Sequence, residues 1–281
     1  MIASIRVKTS KKNSLAPINT ITKSYCKKLR GIFTDIDDTL TTHGKLTEDA
    51  YKALWKAKAA GLRIIPITGR PAGWVDHFAR MWPVDAVVGE NGAFYFHLDA
   101  KQGRDGKLLQ RFVQDAATRK ANTAKLWQVF HELQKKRPAL QVASDQGYRE
   151  IDLAVDFCED VPRLPENEID EIVHAFEKAG AQAKISSIHV NAWFGNHNKF
   201  SCIKLLLKEL YGENIDSVKE NYLYFGDSPN DEPLFQEFPH SVGVANVKDF
   251  LPRMKAWPRY ITKKEGGHGF AEAVNLILKN R

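Results

Sequence analysis

The residues of this chain that could do chemistry begin at Asp35. The stretch Gly31-Ile32-Phe33-Thr34-Asp35-Ile36-Asp37-Asp38-Thr39-Leu40 opens as a short apolar run and ends in carboxylates spaced Asp-x-Asp. At the end of a parallel strand, two carboxylates one residue apart can both reach the crevice above the sheet. Two later strands also end in polar residues: one in Thr68-Gly69-Arg70, the other in Gly226-Asp227-Ser228-Pro229-Asn230-Asp231. Lys199 opens the helix that feeds the last of these. The set is several carboxylates, a hydroxyl and an ammonium. Gathered carboxylates repel one another unless a cation joins them, and oxygen-only ligands suit Mg²⁺, which keeps waters and takes phosphate oxygens. Thr68 and Lys199 could then serve the remaining phosphoryl oxygens. Asp35 could attack phosphorus to give an aspartyl-phosphate, and Asp37 could protonate the leaving alkoxide and later deprotonate water.

The elements that must position these residues alternate along the chain. After the first strand, Thr47 is placed to cap a helix carrying Ala50, Leu54 and Ala57 at helical spacing, with Gly61 as its stop. Leu62 to Thr68 reads as a strand, Pro71 as a first helical position, and Trp74, Phe78 and Met81 as one face of the next helix. Val84 to Val88 is a third strand, closed by Gly89-Glu90-Asn91-Gly92. Strand, helix, strand, helix, strand predicts an open parallel sheet.

From about residue 95 to 195 the strands take period two. In Ile151 to Phe157, Asp152 and Asp156 oppose the apolar set, and Ser187, His189, Asn191 and Trp193 oppose Ile188, Val190 and Ala192. Helices bearing Leu126, Phe130 and Leu133, and Ile169, Ile172, Val173 and Phe176, separate these strands. The parallel pattern resumes with a helix over Phe200, Ile203, Leu207 and Leu210 that Gly212 stops. Strands at Tyr222–Phe225, Ser241–Val244 and Arg259–Ile261 follow, then a helix over Phe270–Leu278. The expected fold class is α/β: a Rossmann-like parallel core, residues 31–94 and 196–281, with an α+β cap inserted at 95–195.

Taken together, the four segments resemble the four motifs of the haloacid dehalogenase superfamily of phosphohydrolases: Asp35-Ile36-Asp37-Asp38-Thr39, Thr68 in Thr68-Gly69-Arg70, Lys199, and Gly226 to Asp231. The resemblance spans residues 31–281. It implies Asp35 as nucleophile, Asp37 as acid/base, and Thr68, Gly69 and Lys199 around the phosphate. Mg²⁺ would be held by Asp35, the Asp37 carbonyl and Asp227, with Asp231 and Asn230 in support. The insert between the Thr and Lys motifs is similar to that of the large-cap branch, the Cof and sucrose-phosphatase type, which makes a sugar phosphate the implied substrate. Many members carry Gly where this chain has Asp38, and the expected consequence is for the turn. The same motifs serve phosphomutases, and a relict site would leave a phosphometabolite-binding protein. Intact Asp35, Asp37, Lys199 and Asp227 argue against the latter.

Each piece alone has a plainer reading: a surface turn, a helix entry, an exposed lysine, an Asx-rich turn. Agreement in type, order and strand-end placement argues for one site. Asp231 could instead cap a helix or orient Lys199, and Arg70 could hold a salt bridge or meet substrate. Asn91, a further substrate candidate, sits at the expected hinge, where a turn role is the favoured reading. Arg149, His189, Asn191 and Trp193 are the cap candidates for substrate, with Trp193 as an apolar platform. The alternative for that face is a solvated sheet surface.

Composition bounds the rest. The net charge of +7 is local: residues 1–30 hold eight Lys or Arg and no acid, leaving about −1 for the remainder. This predicts a basic extension outside the core, with a transit-like segment as an alternative and no nucleic-acid motif behind it. No apolar run approaches the roughly 18 residues of a membrane span. Cys26, Cys158 and Cys202 are widely spaced, fitting a reducing, cytoplasmic setting.

Overall fold

A computed structural model describes residues 15–186 and 188–281. Six strands among these form one parallel sheet, in the spatial order Ala16–Pro17, Tyr260–Ile261, Ser241–Gly243, Tyr222–Gly226, Gly31–Thr34, Arg63–Pro66. Its strands read as continuous apolar runs because both faces are covered. Ile32, Ile64, Leu223 and Phe225 pack beneath the helices Lys23–Lys28, Glu48–Ala59 and Gly266–Lys279. Phe33, Ile65, Tyr222 and Tyr224 face the opposite layer, Lys199–Tyr211 and Glu232–Glu237.

The expected helices form with their expected stops, Gly61 at φ +78° and Gly212 at φ +65°. One face differs. In the helix Ala72–Met81 the buried side is Ala72, Val75, Phe78 and Ala79, whereas Trp74 and Met81 lie exposed. The spacing of large apolar residues pointed to the wrong side because small alanines fill the tight contact.

Residues 15–30, the second half of the basic stretch, are part of the core. Ala16–Pro17 pairs in parallel with Tyr260–Ile261 at the sheet edge. Ile18, Ile21, Tyr25, Cys26 and Leu29 are buried against Ile277 and its neighbours. The lysines and arginines flanking them hid an apolar pattern of Ile, Tyr, Cys and Leu. Residues 1–14 lie outside the described residues.

Among the described residues there are also two antiparallel sheets. Val87–Gly89, Phe94–Asp99 and Lys107–Phe112 form one, joined to the parallel sheet by a bridge from Val88 to Ile67. The expected boundary at 94/95 falls inside this hairpin, which stays with the core, and we propose residues 113–195 as the inserted unit. That unit's sheet runs Gln141–Val142, Leu153–Asp156, His189–Trp193, Gln182–Ile185. The helices Ala116–Lys136 and Glu166–Lys178 cover one face through Leu126, Phe130, Ile169, Ile172 and Phe176. The other face is not solvated: Asp152, Asp156, His189 and Asn191 are all buried. Among the described residues no helix is long and apolar enough to cross a membrane.

Candidate active site

From the Gly31–Thr34 strand the chain continues to Arg63–Pro66 on one side, while Tyr222–Gly226 borders it on the other. That is a topological switch point, the place where open α/β sheets leave a crevice at the strands' carboxyl ends. Asp35 and Asp227 follow these two adjacent strands directly. Phe33 lies opposite Tyr224 and Thr34 opposite Phe225, and the Asp35 amide extends the ladder by donating to the Phe225 carbonyl at 2.9 Å. Register alone therefore brings the first and last motifs together.

Asp231 returns beneath the same strand end from the single turn Pro229–Asp231. It can do so because residue 226 is glycine: a Cβ there would lie 2.5 Å from the Asp231 Cγ. The Asp231 Oδ2 accepts from the Asp227 and Ser228 amides at 2.9 and 3.2 Å, and its Oδ1 from the Tyr224 hydroxyl and, at 3.4 Å, from Lys199. Lys199 is the first residue of its helix, set by reciprocal bonds between Asn198 and Ser201, and its Nζ stands 2.7 Å from the Asp35 Oδ1. Both alternatives left open for Asp231 are present: its bond from the Ser228 amide is half of a capping box, and its other oxygen meets Lys199. Asn230 is half-buried in the same turn.

One atom each of Asp35, Asp227 and Asp231 lies within 4.8 Å of the others, all three residues buried. Burial pushes the Asp35 carboxyl up to about 8 against the pull of Lys199, and Asp231 and Asp37 add to the rise. Burial, then Asp231 and Asp35, hold Asp227 well above the usual carboxylate range. For Lys199 burial works in the opposite direction, yet Asp35 and Asp231 outweigh it and raise its proton affinity. Buried acids that push one another up in this way have room electrostatically for a further cation. The donor set is oxygen throughout, which fits a hard divalent ion. Asp35, Asp227 and Asp231 are the carboxylates that could hold it. Asp227 is aimed by Thr39, whose hydroxyl donates to Oδ1 at 3.0 Å, and by Asn246, whose amide donates to Oδ2 at 3.1 Å and to the Asp38 carbonyl at 2.9 Å. Asp38 sits at φ +54°, in the left-handed region where Gly or Asp is tolerated, and its charge adds to the rise at Asp227.

Thr68 follows the neighbouring strand and is fully buried. Its hydroxyl accepts from the Arg70 amide at 2.9 Å and keeps its own hydrogen to donate. Its carbonyl accepts from the Asn91 amide at 3.1 Å, and a Cβ on Gly69 would come within 3.3 Å of the Asn91 side chain. Asn91, at φ +56°, thus braces the turn from below. Arg70 grips Asp37 through Nε and Nη2 at 3.0 and 2.9 Å, and its Nη1 lies 3.7 Å from both Asp145 and Glu159 of the inserted unit. Its guanidinium also lies 5.0 Å from the ring of the exposed Trp74.

Among the cap candidates, Arg149 has a buried side chain that donates to the Gly69 carbonyl at 3.0 Å and to Asp152 at 2.8 Å. The Asn191 amide donates to the other Asp152 oxygen at 3.1 Å. His189 lies 2.8 Å from Glu159, and burial lowers its proton affinity. Trp193 offers no free face. It packs with Ile36, Ala72, Val75 and Ile151 in the seam between the two units, its indole N–H donating to the His197 carbonyl. Ser187 lies outside the described residues. Sequence reasoning missed Thr39, Asn246, Tyr224, Asp145, Glu159 and Glu90 as contributors. Asn246 could have been found by the rule that found Asp227, since it lies just past the end of a parallel strand. Asp145 and Glu159 carry no local signal, because only the tertiary fold brings them to Arg70.

A parallel sheet with acids gathered at its switch point, an ammonium among them and an α+β insert above defines a Rossmann-like hydrolase with a large cap. The chain belongs to the haloacid dehalogenase-like hydrolases, whose family model matches residues 32–274, and within that superfamily it is a phosphohydrolase of the large-cap branch. It is 28% identical over 254 residues to a phosphoglycolate phosphatase of Methanobrevibacter smithii, covering 88% of this chain and 97% of that one. A phosphoglycolate phosphatase of Methanothermobacter thermautotrophicus is 27% identical over 252 residues, covering 89% and 99%. Among solved structures, a Thermoplasma acidophilum protein superposes with a TM-score of 0.67 at 20% identity, covering 89% of this chain and 98% of that one. The sucrose-phosphatase of Synechocystis, solved with sucrose and phosphate, superposes with a TM-score of 0.61 at 16% identity, covering 88% and 97%.

Proposed function

We propose that this chain is a Mg²⁺-dependent phosphatase of small phosphorylated metabolites, sugar phosphates in particular, working through an aspartyl-phosphate on Asp35. The observation that carries the proposal is the placement of Asp35 at the switch point, 2.7 Å from the Lys199 ammonium and beside Asp227. The Asp35 carboxylate attacks phosphorus, and Lys199, the Thr68 hydroxyl and the Gly69 amide neutralise and orient the phosphoryl oxygens. Asp37 gives a proton to the leaving oxygen and then takes one from the hydrolytic water. To do so it must let go of Arg70, which frees that guanidinium for the incoming substrate. Asp35, the Asp37 carbonyl and Asp227 would hold Mg²⁺, with Asp231 and Asn230 behind them; the ion would supply Lewis-acid neutralisation of the phosphate charge.

The sugar-phosphate reading draws support from the cap side of Arg70, where Asp145, Glu159 and His189 offer acceptors to hydroxyl groups. A second reading, phosphoglycolate, draws on the names of the two archaeal relatives, with Arg70 and Arg149 as cations near the site. Phosphate release from a panel of sugar phosphates, phosphoglycolate and nucleotides, with Mg²⁺ and with chelator, tests both. Metal-dependent release from a sugar phosphate is expected. Release from phosphoglycolate alone would favour the second reading. Isomerisation of a hexose phosphate without release would replace the phosphatase by a mutase, and neither activity would leave a binding protein.

A further inference from the structure

Glu90 is fully buried and lies in the left-handed region at φ +41°, immediately before Asn91. One of its carboxylate oxygens accepts from the Ala72 amide at 3.0 Å, in the first turn of the helix Ala72–Met81, and from the Glu150 amide at 2.9 Å. The other accepts from the Ile151 amide at 2.7 Å and the Asp152 amide at 2.9 Å. Three consecutive amides of the inserted unit thus converge on one core carboxylate, the arrangement of a backbone anion nest. The residue just before them, Arg149, crosses back to the core and donates to the Gly69 carbonyl. The segment 149–152 is held at both ends, by Glu90 through its amides and by the phosphate-binding turn through its guanidinium. A substitution that removed the carboxylate would leave buried N–H groups without acceptors, a cost that opening the seam to water relieves.

We propose that Glu90 is a positioning residue that clasps the cap segment 149–152 onto the Thr68-Gly69-Arg70 turn and so sets the closed form of the enzyme. It touches neither metal nor phosphate. The clasp itself is independent of the phosphatase reading; only its kinetic consequence rests on that reading.

The test uses the full chain with Glu90→Gln, which keeps the size and replaces an acceptor by a donor facing N–H groups, and with Glu90→Asp. Backbone hydrogen exchange is followed in both. The expected result for Glu90→Gln is exchange at least about tenfold faster at residues 150–152, while Gly31–Thr34 and Tyr222–Gly226 keep their protection. With whichever substrate the panel identifies, KM should rise about tenfold and kcat fall less, since loss of cap seating weakens binding more than chemistry. Glu90→Asp should recover part of both effects. Unchanged exchange at 150–152, or a loss spread evenly over the core strands, would overturn the clasp. Should Glu90→Gln not fold, Arg149→Met severs the other end of the segment and is expected to raise exchange at the same amides; unchanged exchange there would overturn it equally. Absence of any phosphatase activity removes the kinetic readout and leaves the exchange result standing.

Discussion

At the scale of single residues, Asp35 and Asp37 are two carboxylates placed in different surroundings. Asp35 is buried against a lysine and two further acids, and Asp37 is half-exposed in the grip of an arginine. Asp35→Asn removes the proposed nucleophile with little change in shape. Turnover is expected to fall by a factor of about 10⁴ or more, with the thermal melt retained; residual Mg²⁺-dependent turnover near the parent rate would remove Asp35 from that role. Asp37→Asn should lower turnover of an alkyl phosphate by about 10²–10⁴, the range of general acid catalysis, and impair the first step far less for an aryl phosphate whose leaving group needs no proton. Equal losses on both esters in single-turnover experiments would show that Asp37 is not the acid. The residues legible in sequence as candidates were Asp35, Asp37, Thr68 and Asp227, by strand-end position and type, and Lys199, at a helix start. Those that aim them were not. Tyr224 reads as one more buried strand aromatic and Asn246 as a polar residue past a strand, until the fold sets them against Asp231 and Asp227. Glu90 looked like part of a Gly-rich turn.

At the scale of elements, continuous apolar runs gave the parallel strands, because burial on both faces leaves no alternation to misread. The exception is Val84 to Val88, whose strand Val87–Gly89 pairs antiparallel with Phe94–Asp99 and meets the parallel sheet only by the Ile67 bridge. Period two in the inserted unit was equally plain, but what covers its polar face was not. Asp152, Asp156 and Asn191 look solvated by pattern, but Asp152 is paired with Arg149 and Asn191, and its amide is held by Glu90 of the core. Asp156 caps three amides of the loop that carries Glu159. The amino-terminal segment was the harder case, because charge density masked a helix and an edge strand. Tyr25 shows what that segment contributes. Its ring stacks on His240 at 3.7 Å, and its hydroxyl donates to the Tyr222 carbonyl at 2.9 Å, on the strand that ends in the site. Tyr25→Ala should therefore cost about 3–5 kcal/mol, as a large buried aromatic does and a solvated tail residue does not. Urea denaturation of the two proteins decides it, and a loss below about 0.5 kcal/mol would return the segment to the status of a surface extension.

At the scale of the whole molecule, two units must be joined so that Lys199 begins its helix in register with Asp35 even though the chain has just left the insert. The return crossing runs from Trp193 to Asn198, and His197 lies in it. His197 is buried, its ring stacked on Trp193 at 5.9 Å, and its ring nitrogens have no hydrogen-bond partner among the described residues. Burial lowers its proton affinity to about 4 from an ordinary value of 6.5. The folded protein thus takes up a proton at this ring only well below the pH at which the unfolded chain does. The neutral ring costs nothing above about pH 6.5, and each unit below that favours the unfolded chain by about 1.4 kcal/mol until the folded ring titrates near 4. Across that window the total is on the order of 3 kcal/mol. His197→Gln, which carries no titratable group, should lose correspondingly less stability than the parent as pH falls from 7 to 4.5 in urea titrations, since the carboxylates common to both proteins cancel in the difference. Parallel pH profiles for the two proteins would mean that the crossing opens to water and that His197 titrates as it does in the unfolded chain. A converging pair, with the parent steeper, would show that the hinge stays closed and dry where the cap meets the helix that carries Lys199.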